Sequence, residues 1–160
     1  MDREKHIPDL GKMIADRVEQ ARLNIIQRHT AAGQKASGRT IASMYTEAVE
    51  TGTSVTVTLY GRKFFQGLET GRKGGKVPKG FYHIIKQWAI DKHLTFANNR
   101  ELCTFSYFVA KKIASNGTKL FRNGGRNDIY SPEIQAAQKD IRGMITWFMN
   151  EEMQTIQLNN

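Results

Sequence analysis

The sequence predicts an α+β fold, with a small antiparallel β-sheet packed against an N-terminal helix and three later helices. Three observations predict it. Apolar residues recur at three- and four-residue steps near the N-terminus and again in three segments after position 80, the mark of amphipathic helices. Apolar and polar residues alternate strictly in SVTVTLY, 54–60, the mark of a half-buried strand. The order is helix, hairpin, then helices, which favours helices gathered on one face of an antiparallel sheet. At 160 residues a single domain over 1–160 is the default expectation. A chain of this length buries roughly 70% of its unfolded surface and needs no metal or disulfide to fold.

The first helix is expected from Pro8 to about His29, with Leu10, Ile14, Val18, Ala21 and Ile25 on one face and Pro8 in the first turn. TAAGQKASGRT, 30–40, breaks the pattern and reads as a mobile connector. Val55, Val57 and Leu59 then alternate with threonines. IASMYTEAV, 41–49, is β-capable but less cleanly patterned, and ETGT, 50–53, sits between as a turn, so a hairpin is expected over about 41–60. Two strands alone are marginal. Either the helices cover them or another subunit extends them. Phe81, Ile84, Ile85 and Trp88 define a helix ending near His93; Leu102, Phe105, Val109 and Ile113 define the next, stopped by SNG at 115–117. Ser131-Pro132-Glu133 reads as a cap with proline at the first helical position. Ile134, Ile141, Ile145, Phe148 and Met149 carry the long final helix, and KLFRNGGRNDIY, 119–130, is the loop before it.

The net charge of +9 fits an anionic partner (nucleic acid, an acidic protein surface or anionic lipid) or simply a solvated basic surface. No apolar run approaches the ~20 residues needed to cross a bilayer. MDREKHIPDL mixes charges without an apolar core, so no signal peptide is expected. The one cysteine, Cys103, excludes an intramolecular disulfide and points to a cytosolic setting. Beside Leu102 and Phe105 it is expected to be a buried, inert thiol.

FFQGLETGRKGGKVPKGF, 64–81, raises the question of a phosphate-binding loop. That motif requires glycine, four residues, then Gly-Lys-Ser/Thr. Here Thr70 stands in the first glycine's place and Val77 in the hydroxyl's, so the motif fails. His6, His29, His83 and His93 offer no pair at helical metal spacing. Glu69 is expected to form a local ion pair with Arg62, Lys63 or Arg72, and Asp128 has a similar setting beside Arg122 and Arg126. No second carboxylate stands at a useful spacing, so no catalytic, metal or cofactor site is expected. The cluster Arg62, Lys63, Arg72, Lys73, Lys76 and Lys79 suits phosphate contacts. Phe64, Phe65 and Phe81 offer stacking faces, but Phe64, Phe65 and Leu68 have the spacing of a core anchor. Gly71 to Lys79 then reads as a basic arm held out between strand and helix. A small basic protein binding nucleic acid without sequence preference is one reading of this cluster.

Tyr60-Gly61 followed by FFQGLETGRKGGKVP resembles a pattern in tail-completion and head–tail connector (neck) proteins of tailed bacteriophages. In those proteins a strand ends in an aromatic residue, and an LE-x-G turn leads into a basic loop rich in glycine and proline. IIKQWAIDKHL, 84–94, is similar to the family's tryptophan-bearing helix. YFVAKKIASNGTKLF, 107–121, is similar to its A-x-KI-x-x-x-GT segment, and SGRTIASM, 37–44, to its TGRL-x-x-S approach to the first strand. His93 stands where the family tends to have glycine, Gly74 where it often has proline, and RNGGRNDIYS is less familiar. The resemblance implies a non-enzymatic virion protein, assembled in the cytoplasm of a bacterial host. It would form a homo-oligomeric ring at the neck or tail end and join portal or adaptor proteins to tail-tube proteins, without cofactor or membrane. Loops 71–79 and 118–130 would then dock on acidic partner surfaces or face the DNA path through Arg72, Lys73, Lys76, Lys79, Arg122 and Arg126.

Overall fold

The computed structural model describes residues 3–52 and 54–158. Its first helix, α1, spans Arg3–Ala31 and therefore begins before Pro8, earlier than expected. Pro8 lies in its second turn, where it lacks the N–H that would bond the carbonyl four residues back. Ala21, Ile25 and His29 repeat every four residues and form the buried face of α1.

The connector is tied rather than loose: the Gln34 amide donates to the Leu68 carbonyl at 2.7 Å. It leads into a single helical turn, α2, Arg39–Ala42, where a strand was expected from 41. Gly38 precedes this turn with φ 78°, and the chain extends only after Met44, which is buried in the core. Strands β1, Tyr45–Thr51, and β2, Ser54–Tyr60, pair antiparallel from Tyr45 opposite Tyr60 to Thr51 opposite Ser54. The Tyr45 and Tyr60 rings stack at 4.7 Å across the open end, an aromatic cross-strand pair. The hairpin lies on α1. Gly11 makes that approach possible, because a Cβ there would stand 2.7 Å from Val55 Cγ2.

A short turn, α3, Gly67–Thr70, follows the hairpin. Two helices, α4 (Phe81–Asp91) and α5 (Asn99–Asn116), then pack as a pair. Ile85, Ala89, Ser106 and Ala110 are buried, and the small residues allow close packing. Asn98 caps α5 by accepting the Glu101 N–H at 3.0 Å. The expected loop 119–130 contains a helical turn, α6, Lys119–Arg122, capped by Thr118.

The last helix, α7, Ser131–Leu158, packs along α1. Arg17 bonds Asp140 and Glu133, while Arg28 reaches Asp128 and Glu133. Ascending α1 thus means descending α7, so the pair is antiparallel. Ile25, Met44 and Ile129 form the centre of the core, with Leu59, Phe65, Leu68, Tyr130 and Ile134 packed around them. The architecture is α+β, as the patterning predicts.

Candidate functional site

The LETG turn holds the start of α7. Glu69 is 3% exposed. One of its oxygens accepts the N–H groups of Ile129, Tyr130 and Ser131 at 2.8, 2.7 and 3.0 Å. The other accepts the Ser131 hydroxyl. Donors at a helix start lack intrahelical partners, and a carboxylate there also meets the positive end of the helix dipole. Burial raises the Glu69 pKa, but the Ser131 hydroxyl and the three N–H groups together outweigh it, and the pKa lies below its ordinary value. The expected ion pair with Arg62, Lys63 or Arg72 is therefore corrected: the partners are backbone donors some sixty residues away. The anchor is corrected as well. Phe65 and Leu68 join the core, with Phe65 5.2 Å from the Tyr130 ring, whereas Phe64 is 77% exposed. Residues three apart share a face of a turn; the neighbour of one of them does not.

The basic arm is not held out. The Arg72 N–H donates to Thr118 Oγ1 at 2.9 Å. The Thr118 N–H donates to the Arg72 carbonyl at 2.9 Å, and the Gly75 N–H to the Ala114 carbonyl at 2.7 Å. Residues 71–75 are thus clasped to 114–118, backbone against backbone. The glycines of both segments serve this approach. A Cβ on Gly71 would lie 2.5 Å from the Phe121 nitrogen, and one on Gly74 2.5 Å from the Ser115 oxygen. Gly71 and Gly117 also have φ of 68° and 79° with ψ near 180°, a region only glycine occupies easily.

Beside the clasp, α4, α5 and α6 enclose a groove of about 570 Å³, within the size range of ligand clefts. Phe81, Ile85, Trp88, Val109, Ile113 and Leu120 give it an apolar floor. Arg72, Lys112, Lys119 and Arg122 supply four cations, and no carboxylate is among its lining residues. Arg72 lies 5.3 Å over the Phe81 ring and donates to the Lys76 carbonyl at 2.7 Å. The arrangement suits an apolar group next to negative charge.

Of the six residues expected to dock, the structure brings Arg72 and Arg122 to this groove. Lys73, Lys76 and Lys79 are exposed on the arm. Arg126 is engaged elsewhere: its guanidinium holds Asp128 through bonds of 2.6 and 2.8 Å, which keeps the Asp128 carboxyl below its usual range. Lys112, Lys119 and Trp88 were not among the expected residues. The signal for the two lysines was AKKIASNGTK, where cations bracket a helix end.

Cys103 is half-buried rather than buried. The Tyr82 hydroxyl, and then the Lys86 ammonium 3.4 Å from its sulfur, draw its pKa down. Among the described residues no helix is long and apolar enough to cross a membrane, and no group of three or more His, Cys, Asp or Glu is placed to hold a metal. No protein-family model matches the chain, and neither does any curated protein or solved structure.

Proposed function

We propose that this protein is a structural component of a tailed bacteriophage, forming a ring at the neck or tail end and joining capsid-side to tail-side proteins. The observation that carries the reading is the clasp. The two segments with the strongest resemblance to neck proteins, LETGRKGGKVP and AKKIASNGT, are bonded to each other through Arg72, Gly75, Ala114 and Thr118. They act as one unit, which presents a cation-rimmed apolar groove. His93 adds support. It stands where that family tends to have glycine, and its φ is 54°, in the left-handed region that favours glycine.

In this reading Arg72, Lys112, Lys119 and Arg122 meet acidic protein surfaces, and the exposed lysines of the arm meet a partner or the DNA path. Mass spectrometry and electron microscopy of purified virions test it. The chain is expected in stoichiometric amount at the neck or tail end, and absence from particles overturns the proposal.

The second reading is a basic protein that binds nucleic acid without sequence preference. The exposed Lys73, Lys76 and Lys79 favour it. It requires binding to duplex DNA that falls steeply with salt and weakens on Lys73→Ala with Lys76→Ala. No binding at low salt removes it.

A further inference from the structure

We infer that the groove between α4, α5 and α6 receives the C-terminal part of α7 from a second copy of this chain. The inference rests on the ring of the proposed function and names the contact that would build it. In the C-terminal half of α7, Ile145, Met149, Met153 and Ile156 are 42, 54, 56 and 47% exposed. Their steps of four, four and three residues place them in one stripe, about 16 Å long at the rise of an α-helix. The stripe runs along the edge of the face α7 turns to the core: Ile145 and Ile156 lie about 20° and 40° around the helix from Ile134, which packs in the core, on the side away from the buried Ala137.

Its charge complements the groove. From 143 to 158 the sequence has no lysine or arginine; Glu152 borders the stripe, about 40° around the helix from Ile156, and the carbonyl end of the helix dipole adds negative character. The groove offers four cations and no carboxylate around an apolar floor. Surface area points the same way. The chain exposes 11410 Å², whereas a compact monomer of 18.2 kDa exposes about 8,100 Å². The excess, roughly 3,300 Å², falls in the range that obligate interfaces bury. Stripe and groove are different surfaces, so the contact is head-to-tail, and repeating it produces a closed ring or an open filament.

Sedimentation of the purified full-length chain at submillimolar concentration tests this with two variants. Met149→Lys with Met153→Lys spoils the stripe. Lys119→Glu with Arg122→Glu spoils the groove. All four positions are exposed, and far-UV circular dichroism checks that each variant is folded. The wild type is expected to form multimers, and each variant alone to associate about 30-fold or more weakly, as at an interface hot spot. Mixed, the two variants should form a one-to-one dimer that grows no further, because only one intact stripe and one intact groove remain. A wild type that stays monomeric overturns the inference, as do variants that associate like the wild type or a mixture that stays monomeric. A chain that passes this test but is absent from virions overturns the virion reading alone. A neck protein that stays monomeric in solution overturns the contact alone.

Discussion

Around the first turn of α7, Glu69 and Glu133 are buried and hydrogen-bonded; around α4, α5 and α6, four cations surround an apolar groove with no carboxylate among its lining residues. The first region satisfies its polar groups internally. Glu133 accepts from Arg17 at 3.1 Å and from Asn24 at 3.0 Å, bridging α7 to α1. Glu19 lies between Arg22 and Thr46, which hold its pKa at about 2. The second region buries mainly small residues and exposes Ile84, Trp88, Leu94 and Phe108. Buried polar groups need partners inside the fold, whereas large exposed apolar patches mark interaction sites. The contrast places stability chiefly in one region and, under the proposed function, binding in the other.

The substitution that breaks this contrast most sharply is Glu69→Ala. It strands three backbone N–H groups and one hydroxyl at a buried helix start. Each lost acceptor costs about 1–3 kcal/mol without full additivity, so a loss of about 3–5 kcal/mol is expected, a large part of a typical stability. Urea unfolding measures it. Arg62→Ala and Lys63→Ala should change stability by less than about 0.5 kcal/mol; a loss comparable to that of Glu69→Ala would restore the ion pair. The pH dependence follows from the lowered pKa of Glu69. Its contribution is complete above the unfolded-state value near 4.5 and disappears as pH falls through the lower folded-state value. Wild-type stability should therefore decline below about pH 4.5 more steeply than that of Glu69→Ala, since only the wild type loses this cap.

What the sequence made legible, and what it hid, divides along the same line. The helical faces, the strand at 54–60 and the fold class rest on local periodicity, which one segment displays by itself. Glu69 was misread because its partners are Ile129, Tyr130 and Ser131; sequence proximity offered only Arg62, Lys63 and Arg72. A clue was present in Ser131-Pro132, a helix start whose donors need an acceptor from somewhere. The arm looked free for a similar reason. Its glycines and lysines resemble a flexible loop until residues 114–118 are brought beside them. Phe64 was misplaced because paired phenylalanines look equivalent in a sequence, although only Phe65 faces the core.

The next effect in size concerns the clasp that joins the two regions. Gly71→Ala puts a methyl 2.5 Å from the Phe121 nitrogen and 2.6 Å from Thr118 Oγ1, at a backbone geometry that alone costs about 1–3 kcal/mol. A loss of about 3 kcal/mol is expected, with increased hydrogen exchange at Thr118 and Gly75, whose N–H bonds close the clasp. Gly124 also has positive φ, at 85°, but a Cβ there meets nothing within 4 Å. Gly124→Ala should therefore cost only the backbone strain, about 1 kcal/mol. Equal losses at the two sites would mean that the close approach at Gly71 contributes nothing.

The smallest effect is expected to be a gain. The His93 N–H donates to the Ile90 carbonyl at 2.8 Å and the Leu94 N–H to the Ala89 carbonyl at 3.1 Å, the paired bonds of a glycine-type helix stop. With φ at 54°, histidine occupies a conformation that disfavours a Cβ by about 1–2 kcal/mol. Glycine removes that strain but loses more freedom on folding, about 0.5–1 kcal/mol. His93→Gly should therefore stabilise by up to about 1 kcal/mol, raising the melting temperature by about 2–4 °C. His93→Val, branched at Cβ, should lower it, because such residues tolerate positive φ poorly. If instead the glycine variant is the less stable, the imidazole itself stabilises the end of α4, and the departure from the neck-protein pattern at this position has a local physical cause.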